Sequence, residues 1–287
     1  MTRPVGARAT GQEMGKVIAV AGKGGSGKTT LAALLVRTLR ERGLGPVLAV
    51  DADPNANLGE ALGVEVRQTL GAAVEDLRGE RAAAPAGMSK DALLEMRFAS
   101  LVDERTGFDL LTMGRGEGPG CYCAVNNTLR ALVERLSRSY RFVVIDNEAG
   151  LEHLSRRTQR SIDALVLASD FSVRGLRAAR RVADLVVELG LAVGASLLVV
   201  GRAPVEPARR EEDLRELLRH AGGPALELGG VLPVDEAIAR ADLRGQSLLD
   251  LDPAAPSVEA ARSVLDAVLV RIGSRPDAPS GSARRTS

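Results

Sequence analysis

Gly22-Lys23-Gly24-Gly25-Ser26-Gly27-Lys28-Thr29-Thr30 follows the apolar run Val17-Ile18-Ala19-Val20-Ala21 and precedes the helical pattern Leu31-Ala32-Ala33-Leu34-Leu35-Val36. Gly22, Gly27, Lys28 and Thr29 meet the spacing G-x-x-x-x-G-K-[ST] in the strand–loop–helix setting that a phosphate-binding loop needs. Glycines let the backbone curl so that several N–H groups face one concavity. The N-terminus of the following helix adds partial positive charge. Lys28 is placed to reach the β- and γ-phosphates, and Thr29 to ligate Mg²⁺.

Lys23 lies inside the same loop. The chain has 38 basic residues, of which only Lys16, Lys23, Lys28 and Lys90 are lysine. Two of four lysines in one short loop is a pointed use of a scarce residue. An ammonium is a compact point charge, whereas guanidinium is a broad fork that suits a tight cradle poorly. The loop resembles the deviant Walker A motif, K-G-G-x-G-K-[ST], of the MinD/ParA/nitrogenase-iron-protein class. That resemblance implies that Lys23 crosses a dimer interface to the partner's nucleotide.

The 287 residues are enough for one large α/β domain. A net charge of +1 offers no electrostatic footprint for nucleic acid and no polybasic membrane patch. Tryptophan is absent and aromatics are few, which argues against stacking on bases. No apolar run approaches the ~20 residues of a transmembrane helix. Residues 1–15 contain no stretch suited to a signal peptide, and read as a disordered leader or as an upstream start with the folded chain beginning near Met14. Residues 273–287 read as a disordered tail. A cytoplasmic ATP- or GTP-dependent protein fits this composition.

Apolar runs alternate with helical patterns along most of the chain. Strands are expected at 16–22, 46–53, 108–114, 142–147, 164–170, 195–202 and 226–232. Helices are expected at 29–42, 57–62, 90–102, 124–139, 151–160, 172–189, 207–220, 235–240 and 257–272, with a surface insertion at 78–88. Runs such as Phe142-Val143-Val144-Ile145 suit strands buried on both faces. The fold class is therefore α/β: a single-domain, doubly wound, mainly parallel sheet with flanking helices, spanning residues 16–272. Ligands of such sheets bind beyond the carboxyl ends of the strands.

The motifs fall at those ends. Val50-Asp51-Ala52-Asp53-Pro54 resembles the first switch of the same class, which implies that Asp53 positions or activates the attacking water. Asp51 either supports Mg²⁺ or holds the switch. Phe142-Val143-Val144-Ile145-Asp146 resembles a Walker B strand, with Asp146 reaching Mg²⁺ through water. Gly150 can flex and sense the γ-phosphate. The base site is expected around Arg202, Pro233 and Asp235. The class often carries Asn-Arg where this chain has Gly201-Arg202. ATP is the expected nucleotide, with adenine less firmly specified for want of that amide.

The only cysteines, Cys121 and Cys123, follow Met113-Gly114-Arg115-Gly116-Glu117-Gly118-Pro119-Gly120. A disulfide between i and i+2 is geometrically awkward. Gly, Pro, Arg and Glu neighbours are not those of core cysteines, and point to an exposed loop. One Cys-x-Cys pair supplies two thiolates, and a tetrahedral metal site needs four ligands. Two pairs facing each other in a symmetric dimer supply them.

These blocks together resemble the nickel-insertion accessory ATPases of carbon monoxide dehydrogenase, the CooC family. The matching stretches are 23–30, 51–58, 113–126, 146–153 and 232–238. The resemblance implies an ATPase that dimerises with nucleotide, binds Ni²⁺ (or Zn²⁺) at paired Cys121 and Cys123, and serves a nickel client enzyme such as carbon monoxide dehydrogenase. His153 reads as a packing residue rather than a ligand. Two other readings stand beside this one. A MinD/ParA-like positioning protein would want an amphipathic membrane helix or a basic DNA face. An electron carrier like the nitrogenase iron protein would want cysteines from two separated segments.

Overall fold

The computed structural model describes residues 15–79, 100–115, 121–148, 162–221 and 226–274, with the side chains of 77–79 and 121–124 outside the description. Among the described residues eight strands form one sheet: β1 (Lys16–Gly22), β2 (Val47–Ala52), β3 (Val102–Arg105), β4 (Phe108–Thr112), β5 (Phe142–Asn147), β6 (Ile162–Asp170), β7 (Val193–Ala203) and β8 (Glu227–Pro233). Their order across the sheet is β3-β4-β2-β5-β1-β6-β7-β8. Every pairing is parallel except β3 with β4.

The helices among the described residues are α1 (Lys28–Glu41), α2 (Leu58–Ala61), α3 (Leu70–Gly79), α4 (Cys121–Leu136), α5 (Val173–Glu188), α6 (Pro207–Ala221), α7 (Glu236–Arg244) and α8 (Pro256–Arg271), with a 3-10 turn at Leu248–Asp250. Alternation along the strands divides the core into two faces. Ile18, Val20, Phe142, Val144 and Val166 pack with Leu34 and Leu35 of α1 and with Val264, Leu265 and Val268 of α8. On the other face Val17, Val143 and Ile145 meet Leu70 of α3 and Leu129 and Leu132 of α4. Leu165 and Leu167 meet Leu176 of α5 and Leu214 of α6. Helices on both faces are what a run of strands apolar at successive positions requires.

Arg37 fastens α1 to the 3-10 turn at Leu248–Asp250 and the residue after it. It is 3% exposed and gives Nη1 to the Leu248 carbonyl at 2.9 Å and Nη2 to the Leu251 carbonyl at 2.7 Å. Its Nε donates to Glu41 at 2.7 Å.

Three expectations need correction. The cysteines do not sit in a loop ahead of a helix, because α4 already begins at Cys121. The Pro119-Gly120 breaker ends one position earlier, and nothing between 121 and 136 interrupts helical geometry. Val102 is the start of the antiparallel edge strand β3, not the end of a helix; its Asp103-Glu104-Arg105 sequence carries no strand signature. The insertion expected from residue 78 overlaps α3, which packs on the core through Leu70, Ala73 and Val74 among its described side chains. The helix expected at 151–160, most of that at 90–102, residues 80–88, Gly150, His153, and residues 1–14 and 275–287 lie outside the described residues.

Candidate functional site

The carboxyl ends of the central strands bring the sequence motifs to one place. Gly22 at the end of β1 pairs in register with Ala168 of β6. A Cβ there would stand 2.2 Å from the Ala168 carbonyl oxygen, so only glycine allows the loop to leave the sheet at this point. Lys23, Gly24 and Gly25 are exposed, while Ser26 and Lys28 are buried. The Ser26 N–H closes the turn onto the Lys23 carbonyl at 3.1 Å. Gly27 caps α1 with φ 88, a left-handed conformation that a side chain would strain, and no side chain caps the helix. The first-turn N–H groups of α1 are thus left for an anion. Lys28 Nζ donates to the Lys23 carbonyl at 3.4 Å.

Thr29 Oγ1 donates to Asp146 Oδ2 at 2.6 Å. Asp146 is 1% exposed, and among the described residues its Oδ1 has no hydrogen-bond partner, nor has the buried Ser26 Oγ. Burial pushes Asp146 up to about 6, against the Thr29 hydrogen bond and the Lys28 charge that pull it down. Asp51 and Asp146 lie side by side in the β2–β5 register. Burial raises Asp51, the Leu58 N–H pulls it back, and the Asp146 charge adds to the rise; the balance stands at about 7. Both Asp51 oxygens hold backbone: Oδ1 accepts from Asp53 N–H at 3.1 Å, and Oδ2 from Leu58 N–H at 2.8 Å. Of the two readings open for Asp51, these bonds are those of a loop holder. The Asp146 carboxylate with its orphaned buried oxygen, beside an uncapped helix start, suits a hydrated divalent cation next to a polyphosphate.

Asp53 stands on the loop after β2, half-buried. Its Oδ1 accepts from the Asn55 N–H at 2.8 Å and from Asn55 Nδ2 at 2.9 Å. Arg115 in turn donates Nη2 to Asn55 Oδ1 at 2.6 Å.

A cleft of about 310 Å³ opens beside the loop, lined by Ser26, Gly27, Thr30, Gly201, Arg202 and Pro233 among others. The expected base residues therefore do gather next to the phosphate cradle. Arg202 adopts φ 56, uncommon for a residue with a Cβ. A Cβ at Gly201 would lie 3.6 Å from the Ser169 carbonyl oxygen, an ordinary contact. Asp235 lines the cleft but is already engaged. Its Oδ1 caps α7 through Ala237 N–H at 2.8 Å, and its Oδ2 accepts from Ser257 N–H at 3.0 Å and Ser257 Oγ at 2.6 Å. Burial works to raise Asp235, but the Ser257 bonds, the Ala237 bond and the Arg240 charge hold it below the usual carboxylate range.

Three residues were not anticipated. Asn147 is fully buried beside Asp146 and donates Nδ2 to the Val20 carbonyl at 2.9 Å, tying the end of β5 to β1. A polar amide straight after a buried strand aspartate was its only sequence signal. Asn55 and Arg115 had none, since their meeting joins segments 60 positions apart.

The comparisons with known proteins accord with this geometry. The family model CbiA, described as the CobQ/CobB/MinD/ParA nucleotide binding domain, matches residues 17–249. The chain belongs to this nucleotide-binding family. Among relatives, an uncharacterized ATP-binding protein of Methanocaldococcus jannaschii is 44% identical over 237 residues, covering 82% of this chain and 91% of that protein. The carbon monoxide dehydrogenase accessory protein CooC of Rhodospirillum rubrum is 33% identical over 267 residues, covering 89% of this chain and 97% of that one. The MinD structure of Pyrococcus horikoshii complexed with Mg-ADP superposes with a TM-score of 0.63 at 23% identity, covering 89% and 96% of the two chains. A ParA family ATPase of Chlorobium tepidum gives 0.64 at 22%, covering 89% and 98%. The fold is thus that of the MinD/ParA nucleotide-binding proteins. Within this family frame, the described residues contain no helix long and apolar enough to cross a membrane. Among them no three His, Cys, Asp or Glu side chains gather as a metal site, and the Cys121 and Cys123 side chains lie outside that set.

Proposed function

We propose that the chain is a Mg²⁺-dependent ATPase that works as a metallochaperone, delivering nickel to carbon monoxide dehydrogenase or a related nickel enzyme. The observation that supports the ATPase half is the Thr29–Asp146 hydrogen bond beside an orphaned Asp146 oxygen, with the Asp53 loop at the neighbouring strand end. In this reading the loop N–H groups of residues 22–30 and Lys28 hold the phosphates. Thr29 and Asp146 would hold Mg²⁺, the latter through water. The ion, when bound, supplies positive charge against the phosphate oxygens. Asp53 orients the water that attacks the γ-phosphorus as the bond to the bridging oxygen breaks, giving ADP and phosphate. Its Oδ1 is pinned by Asn55, while its Oδ2 accepts no hydrogen bond from the described residues. Lys23 is exposed, as a residue serving a second copy's phosphates must be.

The metal half draws support from the likeness to CooC, which spans nearly the whole length of both chains, and from the lone Cys-x-Cys at the start of α4. Nickel is the cargo here, held by Cys121 and Cys123 of two copies. A second reading, a MinD/ParA-like positioning ATPase, is favoured by the fold and by a 32% identity over 167 residues to the maintenance of carboxysome distribution protein A of Synechococcus elongatus. Equilibrium dialysis of the reduced protein against Ni²⁺ separates the two. Tight binding that Cys121→Ser and Cys123→Ser both remove is the expected result. Absence of tight Ni²⁺ or Zn²⁺ binding in the parent would leave the positioning ATPase standing.

A further inference from the structure

Asp235, Ile238, Ala239 and Asp242 all line the cleft beside the phosphate loop. Their spacing of i, i+3, i+4 and i+7 is one face of a helix, so α7 turns Asp242 toward the same space as its cap. β7 supplies Arg202 to that space. From Val200 to Ala203 β7 advances three residues while β8 advances two, from Val231 to Pro233, so β7 carries one residue extra. A bulge of this kind re-aims a side chain. Here it comes with φ 56 at Arg202, a left-handed conformation that costs energy in a residue with a Cβ.

The polar side chains of the cleft divide by duty. Ser26 and Thr30 belong to the phosphate loop and the first turn of α1. Asp235 spends both oxygens on Ala237 and Ser257. Arg202 and Asp242 remain. Among the described residues neither side chain has a hydrogen bond or ion pair, with the other or with any neighbour. Ala168, Val199 and Leu232 add apolar lining suited to the faces of a flat ring.

We infer that Arg202 and Asp242 read the base of the bound nucleotide, and that they admit guanine, so that the chain takes guanine nucleotides at least as tightly as adenine ones. A guanidinium only donates and a carboxylate only accepts. Guanine presents two acceptors together, O6 and N7, and two donors together, N1–H and the 2-amino group. Each edge suits one of the two side chains through a pair of parallel bonds. Adenine sets one amino group between two acceptors, N1 and N7. It can give the carboxylate one bond, and it turns a lone pair toward the second oxygen. The inference rests on residues 22–30 holding the phosphates, and it leaves the roles of Asp53 and Lys23 as they stand.

Calorimetry on the full chain with Mg²⁺ and the diphosphates ADP, GDP, IDP and deoxy-GDP tests it without hydrolysis. The parent should bind GDP as tightly as ADP, or up to about tenfold more tightly. IDP lacks the 2-amino group and should bind about five- to tenfold more weakly than GDP. Deoxy-GDP should match GDP, because the carboxylate sits on the base and not on the ribose. Asp242→Asn presents one acceptor and one donor, the pattern of adenine N6 and N1. It should shift the preference toward ADP by about tenfold and close the gap between GDP and IDP. Arg202→Gly keeps the left-handed backbone and should weaken GDP more than ADP. A residue that only builds the wall would weaken both alike and leave their ratio unmoved. The inference is overturned by a parent that binds ADP more than about twofold more tightly than GDP. Equal binding of GDP and IDP, an unchanged ratio in either variant, or a deoxy-GDP deficit that Asp242→Asn removes would overturn it too. A parent that binds neither diphosphate would refute the phosphate-loop reading as well, which a preference for adenine would leave intact.

Discussion

At the scale of single residues the site is a set of buried charges with unequal duties. That Lys28, Thr29 and Asp146 meet at one strand end was legible, because the spacing and flanks of a phosphate-loop motif and a strand-ending aspartate bring them there. For Asp51 two readings stood open, and the bonds that favour the loop holder depend on where the chain goes seven residues later. Two consequences can be measured. Lys28→Ala should abolish ATP binding, whereas Asp53→Ala should retain it and lose hydrolysis, read by calorimetry and phosphate release; parent-rate hydrolysis by Asp53→Ala would refute its role. The second concerns pH in the nucleotide-free protein kept in chelator. Asp51 and Asp146 titrate at about 7 and about 6 in the fold, mainly through burial, but near 3.9 when unfolded. Between about pH 4 and pH 7 the native state therefore holds more protons than the unfolded chain, and stability falls as pH rises. The Tm should decline from pH 5 to pH 7.5. Asp146→Asn, which cannot ionise, should flatten that decline, and an unchanged slope in the variant would show the pair is not its source.

At the scale of elements the strands were the most legible feature and the connections the least. β1, β2, β5 and β6 are apolar on successive positions because both of their faces are covered, and a sequence states that directly. β3 is a polar edge strand whose existence follows from β4 being there to pair with it. The start of α4 was misplaced because glycine and arginine neighbours resemble loop composition whether or not a helix begins beside them. Arg37 is a further case: its spacing on α1 is that of a core position, and only the folded chain shows which carbonyls it satisfies. Arg37→Leu keeps the packing volume but strands the Leu248 and Leu251 carbonyls away from water. The expected loss is about 2–4 kcal/mol in urea denaturation at constant m-value. Arg37→Lys should restore little, since an ammonium cannot span both carbonyls as the fork does. A loss below about 0.5 kcal/mol would mean that the carbonyls find other partners.

At the scale of the whole molecule, the topology puts β1 between β5 and β6 and so gathers Gly22, Asp146 and the cleft at one rim of the sheet. That convergence was foreseeable from the βα rhythm alone. What a single chain leaves unfinished is its two most distinctive features, an exposed Lys23 in the phosphate loop and a two-thiolate motif. In the proposed reading each is completed by a second copy, one across the nucleotide and one across a metal. If a single two-fold axis serves both, metal and nucleotide must promote each other's binding, because both bind the dimer better than the monomer. The expected stoichiometry is one Ni²⁺ or Zn²⁺ per dimer. Mg²⁺ with a non-hydrolysable ATP analogue should tighten metal affinity by about five- to a hundredfold, and saturating metal should tighten nucleotide affinity by the same factor. Lys23→Ala should bind nucleotide as a monomer, fail to dimerise with it in light scattering, and lose the coupling while keeping its cysteines. Metal affinity should weaken as pH drops, since protons compete for the thiolates. Equilibrium dialysis run beside light scattering reads all of these quantities on one sample. One metal per monomer, or a coupling that survives Lys23→Ala, would place the two features on different interfaces and sever the link between hydrolysis and metal release.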